Sequence, residues 1–134
     1  MNILISYIAT LIPLMALDAV WILVVAKGFY ADRMGFLFNK SINFTPVLFF
    51  YPLYGFGALL LVVMPAVSSG SWHEALWKGA LLGLVSYGAY DLTNHATISG
   101  WPLSMTIVDM CWGMTVTALT CVIAYFILST KSVT

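Results

Sequence analysis

Asp18, Asp91 and Asp109 each stand inside a run of apolar residues. A carboxylate near the centre of a membrane-spanning helix costs on the order of 2.5 to 3.5 kcal/mol, so acids in that setting bind, relay protons or anchor a buried hydrogen-bond network. Neutral donors accompany them. In "YGAYDLTNHATISGWP", residues 87 to 102, Tyr87, Asp91 and His95 recur at four-residue spacing and share a helical face, with Tyr90 and Asn94 on the adjoining one. A smaller pattern occurs twice, as "DAVW" at Asp18 to Trp21 and "DMCW" at Asp109 to Trp112. Three-residue spacing sets the indole on the face of the acid, where it can shape and dry a pocket. Trp101 and Asn43 are expected at its mouth. The candidate ligand-binding residues are therefore Asp18, Trp21, Tyr87, Tyr90, Asp91, Asn94, Trp101, Asp109 and Trp112.

What compensates the acids decides their chemistry. Lys27, Arg33 and Lys40 belong to a surface connection, and Lys78 starts a helix at the opposite face. The acids are then protonated, bonded to neutral donors, reached by a snorkelling Lys27, or paired with an external cation or ligand amine. A metal, if one binds, falls to Asp18, Asp91 and Asp109, with His95 a lesser candidate. The plainer alternatives are a structural network that fixes helix register, a His95 that caps a helix end, and interfacial anchoring by Trp21, Trp101 and Trp112. Trp72 and Trp77 read as anchors at the other surface. No catalytic residue and no cofactor is assigned by any motif.

The elements that must position these residues follow from composition. Of 134 residues, 62% are hydrophobic and 7% charged, against about a quarter charged in soluble domains. This is an all-α integral membrane protein, with the lipid bilayer as its first partner. Five basic and five acidic residues balance to zero with no basic cluster, which excludes nucleic acid as a partner. The N-terminus imitates a signal peptide but lacks a basic leading segment and carries Asp18 in its apolar run, so it reads as a retained span. Cys111 and Cys121 are ten positions apart on one helix, roughly 15 Å along its axis, too far for a disulfide.

A hydrocarbon core about 30 Å thick needs roughly 20 apolar residues per helix. Four segments satisfy it, at about 3–26, 46–66, 74–95 and 103–128, in one domain spanning 1–134. Thr45 and Pro46 suggest the cap and first turn of the second helix, and Ser71 with Glu74 a capping box opening the third. Pro102 suits the first turn of the fourth, and Pro13 and Pro52 predict kinks. Short connections make an up-and-down bundle of four transmembrane helices. Gly79 with Gly83, and Gly113 with Thr117, form small-residue faces for packing within the bundle or in a homodimer. The connection at about 27–43 mixes Phe29, Tyr30, Phe36 and Phe38 with Lys27, Arg33 and Lys40, as an interfacial segment does. Counting Lys and Arg on each side leans towards both termini outside the cytoplasm.

This topology brings the acids to one depth. At 1.5 Å per residue Asp18 lies roughly 12 Å before the end of the first helix, Asp91 roughly 6 Å before the end of the third, and Asp109 roughly 9 Å after the start of the fourth. Those three ends share one side of the membrane, so all three acids share one leaflet.

"YGAYDLTNHATISGWPL", "VDMCWG" at Val108 to Gly113 and "LDAVWI" at Leu17 to Ile22 resemble the motifs of the DUF2177 family of small bacterial inner-membrane proteins. The resemblance implies a multi-pass protein of the bacterial inner membrane with four spans. It sets Asp18, Trp21, Tyr90, Asp91, Asn94, Trp101, Pro102, Asp109 and Trp112 at motif positions, and His95 departs from the aliphatic residue expected there. Three functions remain open on the residues. The first is binding or transport of a small cationic or protonatable ligand, with transport favouring a dimer. The second is a membrane-embedded enzyme acting on a lipid or isoprenoid, and the third a non-catalytic accessory subunit or an apolar-cofactor-binding protein.

Overall fold

A computed structural model describes residues 2–35 and 43–132, the side chains of 131 and 132 excepted. Phe36, Phe38, Lys40 and the side chain of Lys131 lie outside the described residues. Four long helices run in sequence: α1 Ile3–Met34, α2 Phe44–Ser69, α3 Trp72–Thr97 and α4 Leu103–Ser132. No strand occurs among the described residues. Helices α1, α2 and α4 are each long and apolar enough to cross a membrane. With 26 residues α3 has the length as well, and it carries Glu74, Lys78 and Asp91. The protein is an all-α membrane protein.

The starts are capped as side-chain chemistry dictates, with one correction. Asn43, extended at φ −86 and ψ 105, caps α2 by accepting from the Thr45 N–H at 3.2 Å, so the cap is Asn43 and not Thr45, while Pro46 does lie in the first turn. An amide is as good an N-cap as a hydroxyl, and Asn43 reaches the helix two residues earlier. Ser71 caps α3, accepting from the Glu74 N–H at 3.2 Å. The Glu74 carboxylate turns to Ser69 and Lys78, leaving the reciprocal half of the capping box unmade. Between α2 and α3, Gly70 takes φ +70 and lets the Ser71 N–H bond the Ala66 carbonyl.

Helical bonding continues through Pro13 and Pro52. The irregular turns lie elsewhere, as five-residue π-turns at Ile22–Ala26 in α1 and Leu59–Val63 in α2. The second ends two residues before Pro65, which has no N–H to donate. The first changes what α1 can reach. Nine positions separate Trp21 from Tyr30, which in a regular helix sets them ~180° apart. A π-turn absorbs one residue, so Tyr30 returns to within ~80° of Trp21 and ~20° of Asp18. Rather than ending near residue 26, α1 thus runs on to Met34 with Tyr30 on its inward face.

Helices α3 and α4 are the closest pair. A Cβ on Gly79 would meet the Ala118 Cα at 3.0 Å, one on Gly83 would overlap the Gly113 carbonyl, and one on Gly88 would meet Met110 Cε at 3.1 Å. The antiparallel register that pairs these positions continues to Asp91 with Asp109. These glycine faces are filled inside the bundle, so a homodimer would need other surfaces. Towards the chain termini the core is largely apolar, with Ala58, Leu59, Val62, Val63 and Ala66 of α2 against Ala75 of α3 and Cys121, Ala124, Tyr125 and Leu128 of α4, and with the Thr120 hydroxyl buried beside Cys121.

Candidate functional site

Towards the α1–α2 and α3–α4 connections the buried groups are carboxyls, while buried hydroxyls extend back along the helices at Ser6, Thr10, Thr117 and Thr120. On α1 the inward stripe is Ser6, Thr10, Leu14 and Asp18 at four-residue spacing. Ser6 and Thr10 hydroxyls return to backbone carbonyls one turn earlier, Asn2 and Ser6, at 2.9 Å each. Asp18 is fully served. The Tyr51 hydroxyl donates to its Oδ2 and the Trp112 indole N–H to its Oδ1 at 3.0 Å. A carboxylate held by a phenol from α2 and an indole from α4 ties three helices together.

Asp109 receives the Tyr30 hydroxyl at 2.8 Å, and that hydroxyl accepts from the Trp21 indole N–H at 3.0 Å. The two indoles join the arms, since Trp21 and Trp112 stack with centroids 4.4 Å apart and planes 5° from parallel. A continuous chain of contacts therefore runs from Tyr51 through Asp18, Trp112, Trp21 and Tyr30 to Asp109.

Asp91 is different. It is 0% exposed, and among the described residues no neutral donor serves its carboxyl; the group facing it is the carboxyl of Asp109. Asp109 lies within electrostatic reach of it, 8% exposed, and Tyr30 and Tyr90 feel both acids. The single ion pair among the described residues is Lys78–Glu74 at the opposite end. Lys27 is exposed, and Arg33 stacks over Phe29 at 3.9 Å while donating to the Ser104 hydroxyl at 2.9 Å. No described cation reaches the acids.

Beside Asp109 a cleft of about 350 Å³ is lined by Phe50 of α2, Ser86, Tyr87 and Tyr90 of α3, and Asp109 itself. Tyr87 sits on the Gly113 seam and meets Tyr54 edge-on at 6.4 Å; Tyr54 shares a 2.7 Å hydrogen bond with Thr117. Asp91, Asp109 and Tyr90 thus form one group, and Tyr87 lies within electrostatic reach of both Asp109 and Asp18. Asp18, Trp21 and Trp112 form the linked scaffold beside it. The three acids make no single metal cage, and among the described residues no group of three or more His, Cys, Asp or Glu could hold a metal ion.

The remaining candidates sit apart from the acids. Asn94 bonds Tyr90 one turn away, and Asn43 is taken up as the α2 cap. Trp101 is buried with Met34 and Met105, among Phe29, Tyr30 and Ile98, as a plug above the site. Its N–H donates to Thr106 at 3.0 Å, and the Thr106 hydroxyl lies 3.2 Å from His95 Nδ1. His95 therefore serves the α3–α4 connection. Tyr30, Tyr51, Tyr54 and Thr106 are site residues that spacing alone did not single out. Tyr51 and Tyr54 do share one face of α2 at three-residue spacing, whereas Tyr30 was hidden by a π-turn that periodicity cannot anticipate.

With this geometry in place, the comparison with known families is specific. The family model described as a predicted membrane protein (DUF2177) matches residues 3–126, which takes in α1 to α3, most of α4 and every acid of the site. The chain belongs to the DUF2177 family. No curated protein and no solved structure matches it. In this DUF2177 protein Asp18, Tyr51 and Trp112 tie α1, α2 and α4 together, the Asp91–Asp109 pair joins α3 to α4, and Asp109 lines the cleft.

Proposed function

We propose that this multi-pass membrane protein binds a small cationic or protonatable ligand at Asp91 and Asp109. The observation that carries the reading is the fully buried carboxyl of Asp91, which no neutral donor serves, beside a second buried acid that opens on a cleft. Two acids side by side in low dielectric do not both ionise without a positive partner. At rest the pair holds a proton, and a cation arriving at Asp109 offers the charge that lets the proton leave. Asp18 already has two donors, so it braces the site. The family resemblance favours a bacterial inner membrane, and passage of a ligand across the bilayer would call for a second copy of the chain.

The test is binding to purified protein in lipid nanodiscs. Sodium and methylammonium are titrated by calorimetry at several pH values, with proton release followed in weakly buffered solution. Wild-type protein is expected to bind at least one of the two with release of a proton, and Asp91→Asn and Asp109→Asn to lose both signals while keeping the wild-type melting temperature within a few degrees. Binding that both variants retain in full would sink the reading.

A further inference from the structure

The cleft beside Asp109 lies where α2 leans away from its neighbours. The first half of α2, Phe44–Ala58, packs chiefly on α1, whereas the second half packs on α3 and α4 around Leu59, Val62 and Val63. A gap remains between the first half of α2 and α3 at the depth of the acids. Phe50 and Tyr90 flank it, 43% and 56% exposed, on a surface that faces acyl chains when the helices span a bilayer. The space therefore opens sideways into the membrane.

Its walls define the chemistry of an occupant. Phe50, Tyr87 and Tyr90 offer three aromatic rings, Asp109 one carboxyl, and among the described residues no basic group lines it, so an anion finds no described partner. A desolvated divalent metal ion requires about six oxygen ligands, far more than the cleft presents. A cation spread over alkyl groups is suited instead, because ring faces attract it and its hydration is cheap to remove. The cleft of about 350 Å³ is also much larger than a bare ion and falls in the range of small-molecule sites, roughly 300 to 1,000 Å³.

Resting on the proposed cation site, we infer that its ligand is an organic ammonium with an apolar body, taken from the bilayer through the gap between α2 and α3. The ammonium lies against Asp109 among the rings of Phe50, Tyr87 and Tyr90, and the apolar body extends past Phe50 towards lipid. Asp91, behind Asp109, holds the proton that the cation displaces.

The test uses wild-type protein in nanodiscs, with empty nanodiscs as the blank for partition into lipid. Octyltrimethylammonium, which cannot donate a hydrogen bond, is compared with methylammonium and sodium. Octyltrimethylammonium is expected to bind about tenfold or more tighter than methylammonium, Tyr90→Leu and Phe50→Leu each to weaken it about three- to tenfold by removing a ring face, and Asp109→Asn to abolish saturable binding. Ser86→Phe, which fills the cleft without altering an acid, is expected to lose the octyl compound and keeps the test open if Asp109→Asn misfolds. Saturable binding of sodium or methylammonium that depends on Asp109, with none of octyltrimethylammonium, would overturn the inference and leave the cation site standing. Binding of the octyl compound unchanged by Ser86→Phe, Tyr90→Leu and Phe50→Leu also overturns it. No Asp109-dependent binding of any of the three removes both.

Discussion

The two ends of the bundle solve opposite problems. Towards the termini, α2, α3 and α4 meet through Leu59, Val63, Ala66, Ala75 and Cys121, each at most 0% exposed and apolar. Towards the α1–α2 and α3–α4 connections the buried groups are Asp18, Asp91 and Asp109, with tyrosine and tryptophan donors between them. The glycine seam of α3 and α4 runs through both ends and sets a common register. Packing alone would have been served by apolar side chains at the second end as well. The chain nevertheless buries Asp91 there without a neutral donor, while the apolar end and the seam carry the stability that offsets it.

Substitutions can break or sharpen this contrast. The largest effect is expected from Gly83→Leu, since even a Cβ overlaps the Gly113 carbonyl. Both ends should come apart together, with a loss of more than about 3 kcal/mol in chemical unfolding or no folded protein at all. In the apolar end, Leu59→Ala is expected to cost about 2 to 4 kcal/mol and to leave cation binding intact. Asp91→Leu should do the reverse, raising stability by about 1 to 3 kcal/mol while ending cation-linked proton release, because a carboxyl without a neutral donor is replaced by an apolar group of similar volume. Destabilisation by this substitution would dissolve the contrast and make Asp91 a structural group.

Smaller effects separate the scaffold from the site. Tyr51→Phe removes one of the two donors to Asp18 and is expected to lower unfolding stability by about 1 to 2 kcal/mol, with little change in cation affinity. Thr106→Val breaks the link between Trp101 and His95. It should cost about 0.5 to 1.5 kcal/mol and leave ligand titrations unaltered. A loss of cation affinity in either variant would merge the scaffold with the site.

Much of this was legible in the residues. Apolar run lengths give the helices, Ser71 marks the start of α3, and the depths of Asp18, Asp91 and Asp109 follow from a rise per residue and an antiparallel order. The small residues Gly79, Gly83 and Gly113 announce a close contact because only they let backbones approach. Depth, however, fixes one coordinate of three. Which acids face each other depends on helix rotation, and rotation answers to packing across helices: the seam turns Asp91 towards Asp109, while Tyr51 and Trp112 draw Asp18 aside. A π-turn leaves almost no sequence signature, yet it rotates Tyr30 onto Asp109 and withdraws it from the surface to which its neighbours consign it. Whether a buried carboxyl finds a donor depends on side chains from other helices. Sequence alone thus determined the membrane setting, the helices and the common level of the acids along the bundle, which local spacing controls. Only the tertiary structure decided that neutral donors serve Asp18 and not Asp91, because that difference arises between helices and not within one.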